Sequence, residues 1–155
     1  MEAFWTSAVA VVGTLLGSVI THVFQRQSNR RSELFTREES LRKERIDTYS
    51  SFAAAVAEYR RGQGDRWYRK VEDPDGAPFR AAREEGHRLR TAARQALYRV
   101  ELLTGDPDVL AAAERAYKST QQMSNAADQS EHDARDRAAK EAIQQFVACA
   151  SQLVR

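Results

Sequence analysis

The first pattern along the chain is a long run without charged side chains. Residues 3–25 contain no acidic or basic residue. As an α-helix with a rise of about 1.5 Å per residue, this run would span roughly 34 Å, and the hydrocarbon core of a bilayer is about 30 Å thick. Aromatic residues lie near both of its ends, as they do at membrane interfaces. The pattern predicts a single transmembrane helix, an anchor formed by residues 1–25.

The charges that flank this run predict its orientation. Glu2 precedes it, and Arg26, Arg30 and Arg31 follow it, where anionic lipid headgroups would attract them. The positive-inside rule then places the N-terminus outside and the rest of the chain in the cytoplasm. A secretory signal peptide would have a basic leading region and a shorter apolar core, so the acidic leading side favours an uncleaved anchor. A buried helix of a soluble protein remains an alternative, because several Ser and Thr residues dilute the hydrophobicity.

Two features of this part of the chain predict self-association. Gly13 and Gly17 form a GxxxG pair, which lets two helix backbones approach closely inside a membrane. Residues 26–48 are dominated by charge and predict a juxtamembrane stalk helix. Within it, Leu34 and Leu41 lie one heptad apart, as in a narrow coiled-coil seam. We therefore expect a dimer or a higher oligomer, or assembly with another membrane or cytoplasmic protein.

Residues 49–155 show helical periodicity in four segments and no strand-like alternation. The first segment runs on from the stalk. The second starts near Pro78 and is closed by Gly105, the third is capped by Asp106, and the last begins with a capping-box variant at Ser130-Glu131-His132-Asp133. Short connections make consecutive helices antiparallel neighbours. The pattern predicts an antiparallel cytoplasmic bundle of about four helices.

The apolar spacing also predicts the inner face of each helix. Most of the bulk of the core is assigned to nine residues: Tyr49, Phe52, Tyr59, Leu89, Leu97, Tyr98, Val100, Tyr117 and Phe146. The remaining inner positions are mostly small or aliphatic: Val56, Ala82, Gly86, Ala93, Ala96, Leu103, Leu110, Ala113, Thr120, Ala127, Ala139, Ile143, Ala150 and Leu153. We expect helices that pack closely around a thin core.

Composition narrows the class of protein without indicating a reaction. There are 24 Lys and Arg against 22 Asp and Glu, so the net charge of +2 does not by itself indicate nucleic-acid binding. The 25 alanines favour helix, and the 7 Gly and 3 Pro are too few for the turns of an all-β fold. A single cysteine excludes an internal disulfide framework and a multi-cysteine zinc site.

Candidate catalytic chemistry is sparse. Glu84 and His87 form one Glu-x-x-His element of a di-iron site, but no second such element is present. Cys149 lies among apolar residues, which favours a buried hydrophobe over a nucleophile. The sequence has no phosphate-binding loop, dinucleotide fingerprint or nucleophile elbow. We predict no catalytic residue, metal, cofactor or small-molecule substrate.

The most unusual segment is YRRGQGDRWYRK, residues 59–70, in which basic side chains surround aromatic ones. Such a segment can bind nucleic acid through phosphate contacts and base stacking, or an acidic partner helix. Alternatively, Trp67 covers the end of the core and the arginines are solvated. The candidate docking residues are Arg60, Arg61, Arg66, Trp67, Arg69 and Lys70.

The segment WTSAVAVVGTLLGSVITHVFQ, followed by RSELFTREESLRKERIDTYSSFAAAVAEYRRGQGDRWYRK and then EDPDG, resembles KilB-like small membrane proteins of Streptomyces and other actinobacteria. The resemblance is best from Trp5 to about Gly76. It implies a protein of the bacterial plasma membrane that assists the intramycelial spread of conjugative plasmids and is harmful without its regulator. It supplies no catalytic residues. We therefore expect a membrane-anchored scaffold or interaction protein, or alternatively a membrane-tethered nucleic-acid-binding module that uses residues 59–70.

Overall fold

The structure, a computed structural model, describes the side chains of residues 36–155. The helices are α1 (Glu2–Glu72), α2 (Ala77–Leu103), α3 (Pro107–Gln122) and α4 (Gln129–Gln152), and a 3₁₀ turn at Met123–Asn125 follows α3. The described residues contain no strand, so the all-α class is confirmed for them. Residues 1–42 and residues 43–155 form two separate units.

The part of the chain that carries described side chains has no helix with an apolar stretch long enough to cross a bilayer. The predicted anchor over residues 3–25 lies outside that part. So do Gly13 and Gly17, the arginines at positions 26, 30 and 31, and Leu34. Within the first unit, Leu41 is 40% exposed and Arg42 lies 3.7 Å from the carboxylate of Glu39.

In the second unit, α1 supplies one face of the core. Tyr49, Phe52, Val56 and Tyr59 are all buried, as their 3,4,3 spacing predicts. The rings of Tyr49 and Phe52 meet Phe146 of α4 edge to face, with centroids 6.0 and 4.7 Å apart. Edge-to-face pairs of this kind add stability beyond the burial of apolar area. These rings therefore hold α1 against α4.

The connection between α1 and α2 follows from its turn-forming residues. A carboxylate oxygen of Asp73 accepts the backbone N–H of Asp75, an Asx-type contact that turns the chain away from the helix. The next helix starts at Ala77 with Pro78 in its first turn, where the missing N–H costs nothing. It ends at Leu103, and the N–H of Thr104 closes the last turn on the carbonyl of Val100.

The inner face of α2 agrees with the spacing at most positions. Its buried residues are Ala82, Gly86, Leu89, Ala93, Leu97 and Val100. Ala96 and Leu103 are only partly buried. The prediction was wrong for Tyr98, which is 50% exposed. Tyr98 follows buried Leu97 and is turned about 100° away from it around the helix axis, so its ring lies outside the core.

The inner face of α3 is wider than predicted. Asp106 caps the helix as expected, since its side chain accepts the N–H groups of Asp108 and Val109, each at 3.0 Å. The buried residues are Val109, Ala112, Ala113, Ala116, Tyr117 and Thr120, whereas Leu110 is partly buried and Ala127 is exposed. Because half of the six buried side chains are alanines, α3 can approach α2 and α4 closely.

The start of α4 was predicted two residues too late. Its cap is Asp128, not Ser130: the Asp128 carboxylate accepts the N–H of Glu131 at 2.8 Å. In return the Glu131 carboxylate accepts the N–H of Ala127 at 2.7 Å. The reciprocal pair resembles a capping box, and Asp at the first position explains why the helix starts here. Further along α4, Ala139, Phe146 and Ala150 are buried as predicted, while Ile143 and Leu153 are partly buried.

Candidate functional site

The helical twist of α1 divides the basic-aromatic segment of residues 59–70 between interior and surface. Tyr59, Gln63 and Trp67 recur every four residues and are all buried. The Gln63 amide donates hydrogen bonds to the carbonyl oxygen of Gln121 and to the hydroxyl of Ser124, both at 3.1 Å. A buried amide needs such partners, and here it joins α1 to the turn after α3. Part of the segment therefore holds the bundle together.

Trp67 lies in the interior, with only 4% of its surface exposed. Its indole N–H donates to the carbonyl oxygen of Ala126 at 2.9 Å. Its ring stacks on the imidazole of His132 with the centroids 4.5 Å apart, and the Tyr68 ring meets both edge to face. Trp67 therefore covers the end of the core, which was the alternative to docking, and its buried ring is not available to a partner at the surface.

The basic side chains of the segment differ in their partners and in their exposure. Arg60 forms a partly buried ion pair with Asp136 of α4. Arg69 bridges the carboxylates of Asp65, at 3.5 Å, and Glu72, at 3.2 Å. The other three differ in exposure: Arg61 and Lys70 are exposed, and Arg66 is half-buried. The six candidate docking residues therefore do not form one continuous surface, because consecutive residues of a helix are about 100° apart around its axis.

A second cationic site lies on α2, where the sequence analysis assigned none. We call it the arginine groove and define it by six residues: Arg66, His87, Arg90, Arg94, Tyr98 and Tyr117. All of these except Arg66, together with Thr91 and Gln95, line an open groove of about 400 Å³. The Arg94 guanidinium lies 4.6 Å from the centroid of the Tyr117 ring and 5.9 Å from that of Tyr98. These are cation–π distances, so the two rings position the guanidinium.

The pKa of Tyr59 responds to three of the neighbouring arginines. Burial raises the pKa of Tyr59 to about 12, and the neighbouring Tyr117 hydroxyl acts in the same direction. Arg90, Arg66 and Arg94, in that order, oppose the rise, since a positive charge favours the phenolate. Three guanidinium groups from two helices therefore act on the same tyrosine, and two of them, those of Arg90 and Arg94, line the same groove. The Arg66 side chain packs beside α2, since a β-carbon built at Gly86 would lie 3.7 Å from it, an ordinary contact distance.

Sequence reasoning missed the arginine groove because it followed the apolar spacing of α2. A signal was present on the adjacent face. Basic or imidazole side chains recur there at helical spacing, followed by an aromatic one: Arg80, Arg83, His87, Arg90, Arg94 and Tyr98. The spacing of three or four residues places them in one row along the helix. Reading the polar face with the same periodicity would have identified this row.

An apolar groove of about 320 Å³ lies between α1 and α4. Ile46, Tyr49 and Ala53 line one side, and Phe146 and Val147 line the other. Ile46 is 39% exposed and Val147 is 49% exposed. The groove therefore leaves apolar side chains of both helices in contact with solvent.

The remaining chemistry-bearing residues are dispersed. The described residues include no group of three or more His, Cys, Asp or Glu side chains placed to hold a metal ion. Glu84 and His87 are exposed on α2, and Cys149 is a free, partly buried thiol. His132 is buried against Trp67, its Nδ1 lies 3.5 Å from the Asp133 carboxylate, and neither ring nitrogen forms a hydrogen bond with a described atom. This histidine acts as a packing residue beside the tryptophan.

Within the described residues, the fold and its surfaces define a helical bundle protein whose grooves include a cationic one and an apolar one. Residues 46–154 match the family model of the KilB plasmid transfer protein, so the chain belongs to that family. The resemblance inferred from the sequence is confirmed, although the matched region lies further towards the C-terminus than the residues that carried it.

The chain is also similar to Protein KilB of Streptomyces lividans, with 31% identity over 98 residues. The aligned region covers 63% of this chain and 64% of that protein, slightly less than two thirds of its length. No solved structure matches the chain.

Proposed function

We propose that this protein is a membrane-anchored helical scaffold that supports the spread of conjugative plasmids. The observation that carries the proposal is the family match over residues 46–154, which coincides with the helical unit of residues 43–155. Because the match extends over this whole folded unit, we assign the proposed role in plasmid transfer to the helical bundle.

An interaction role is supported by the surface of this unit. The apolar groove between α1 and α4 leaves Ile46 and Val147 exposed, although burying them would be favourable. A scaffold binds other proteins through surfaces of this type, and it needs no catalytic group to do so. The alternative that uses residues 59–70 to bind nucleic acid is weakened, because Trp67 is buried and Arg60 is paired with Asp136.

The membrane part of the proposal rests on the sequence of residues 3–25, which carry no charge. Gly13 and Gly17 are proposed to pack two anchors against each other, and Leu34 with Leu41 to continue the contact along the stalk. Self-association would place several bundles side by side on the cytoplasmic face of the membrane. This is the arrangement that a scaffold requires.

The test is complementation of plasmid spread. In a mycelial host whose conjugative plasmid lacks its own KilB-type gene, the full chain should restore spread, and a chain starting at Arg26 should not. A control chain, in which an unrelated monomeric transmembrane helix replaces residues 3–25, separates anchoring from self-association. Restoration by the chain that starts at Arg26 would contradict the membrane role, and failure of the full chain would contradict the function.

Two further measurements test the arrangement of the anchor. Replacing both Gly13 and Gly17 with Ile should reduce crosslinked dimer in membranes, because the added side chains prevent close backbone approach. A cysteine introduced at the exposed residue Ser130, in a C149S background, should be labelled only after cell lysis. Unchanged dimer would contradict the role of the glycines, and labelling of intact cells would contradict the cytoplasmic placement of the bundle.

A further inference from the structure

We propose that the arginine groove binds single-stranded nucleic acid, with its guanidinium groups on the phosphates and the Tyr98 ring against a base. The proposal is independent of the scaffold function, since it concerns only the surface of α2 and its neighbours. Its first support is convergence. Arg90 and Arg94 of α2 line one groove, and the Arg66 side chain from α1 packs beside Gly86 of the same helix. All three charges oppose the rise in the pKa of Tyr59, in agreement with this placement.

The second support is that these cations have no carboxylate partner. Elsewhere in the described part of the chain, six Arg and Lys side chains each lie within 4 Å of a carboxylate: Arg42, Arg60, Arg69, Arg88, Lys118 and Arg135. No described carboxylate lies within that distance of Arg66, His87, Arg90 or Arg94. Like charges held close together repel each other, and folding alone does not require them to converge. A bound anion would remove the repulsion.

The third support concerns the identity of the anion. Guanidinium groups match the geometry of phosphate oxygens, and the groove also presents the Thr91 hydroxyl, the Gln95 amide and the His87 imidazole. Tyr98 lies beside Arg94 and is 50% exposed, so one aromatic surface is available for stacking. Cations that track a backbone beside a ring on which bases stack are the usual elements of a single-strand site.

The length of the basic row favours a polymer over a single phosphate. Arg80 and Arg83 extend the row towards the start of α2, and both are exposed. From Arg80 to Arg94 the helix rises roughly 21 Å, at about 1.5 Å per residue. Several consecutive phosphates can contact a row of this length. A free phosphate would use only the cluster around Arg90 and Arg94.

The test measures binding of a fluorescein-labelled oligothymidine of about 16 nucleotides, near the upper site size of single-strand modules. The full chain, purified in mild detergent, is titrated at several salt concentrations and followed by fluorescence anisotropy. We expect affinity to fall as salt rises, because phosphate contacts release counterions. R90Q together with R94Q should lower affinity at least about tenfold, since hydrogen bonds to charged groups are the stronger ones. The same variant should reduce the magnitude of the slope of log affinity against log salt concentration by about 1.4.

Matched variants separate the groove from general charge. R99Q with R115Q removes the same net charge from two exposed positions outside the groove and should leave affinity within about twofold of the unmodified chain. Y98L should weaken binding about fivefold or more, whereas Y98F, which keeps the ring, should not. R90Q alone changes an exposed side chain, so it tests the site even if loss of the Arg94–Tyr117 contact disturbs folding.

The proposal is overturned if the unmodified chain does not bind the oligonucleotide, or if R99Q with R115Q weakens binding as much as R90Q with R94Q. It is also overturned if polyglutamate competes as well as unlabelled oligonucleotide at equal charge, because the groove would then be a general surface for acidic proteins. Equal competition by inorganic phosphate at matched ionic strength would assign the groove to a small anion and would likewise reject a nucleic-acid site.

Discussion

Replacing Trp67 distinguishes a packing residue from a docking residue at the end of α1. The indole is 4% exposed, stacks on His132 and donates a hydrogen bond to the carbonyl oxygen of Ala126. If these contacts stabilise the fold, truncating the ring must lower the free energy of unfolding. If Trp67 acts mainly by docking a partner, truncation must reduce binding and leave stability nearly unchanged.

The structure sets the expected magnitudes. W67A removes a buried aromatic ring and leaves a cavity, which costs about 3–5 kcal/mol for Trp in a core. W67F keeps a six-membered ring but removes the N–H donor, and Ala126, itself only 8% exposed, then keeps an unsatisfied carbonyl. Leaving a buried acceptor without its partner costs about 1–3 kcal/mol. The two variants should therefore differ clearly from each other and from the unmodified chain.

The assay is urea unfolding of the full chain in mild detergent, followed by circular dichroism at the helix signal. Tyr68 supplies the matched control, because it is the neighbouring aromatic residue and is 50% exposed. Y68F removes only an exposed hydrogen bond from Gln129 and should change the free energy of unfolding by less than about 0.5 kcal/mol. Equal slopes of the unfolding transition would show that the variants change stability and not the extent of unfolding.

The result that would refute this reasoning is a loss of less than about 1 kcal/mol in W67A, together with no change in W67F. The indole would then contribute little to the interior, and the contacts with Ala126 and His132 would not explain its position. A loss of stability in Y68F as large as that in W67F would also refute it, because any substitution at this end of the bundle would then lower the free energy of unfolding.

Three further outcomes are expected from chemical unfolding of the full chain. D128A should lower the free energy of unfolding by about 1 kcal/mol and S130A should leave it nearly unchanged, because only Asp128 caps α4. A larger loss in S130A than in D128A would mean that the helix starts later. G86A should stabilise the chain by up to about 1 kcal/mol, since its β-carbon would make ordinary contacts 3.7 Å away. G62A should gain less, because its β-carbon would clash with the Leu89 side chain, and a gain equal to that of G86A would contradict the packing. Burial raises the pKa of Tyr59 to about 12, above its ordinary value near 10, so its stabilising contribution is complete below pH 10 and is lost as the pH rises from 10 to 12. The free energy of unfolding of Y59F should therefore fall less steeply over this range, and an identical fall would mean that other groups account for it.

The sequence by itself determined the helices of the second unit, because the signals for a helix are local. Apolar spacing identified the inner residues of α1, such as Phe52 and Val56, and most of those of α2. The Asp106-Pro107 cap identified the start of α3. The start of α4 was misplaced because two overlapping capping patterns compete within six residues, and their ranking depends on which side chain reaches a free N–H. Family membership was also accessible, since it depends on residue identities along the chain.

Only the tertiary structure decided which side chains meet across helices. Spacing within α1 could not show that Trp67 lies under the turn after α3, that Arg60 reaches Asp136 of α4, or that Arg66 packs beside Gly86 of α2. These contacts depend on the rotation of each helix about its own axis when it packs, and that rotation follows from the fit of all the core side chains together. A basic and aromatic composition specifies which chemistry is available, and packing decides whether a particular arginine or tryptophan is at the surface to perform it.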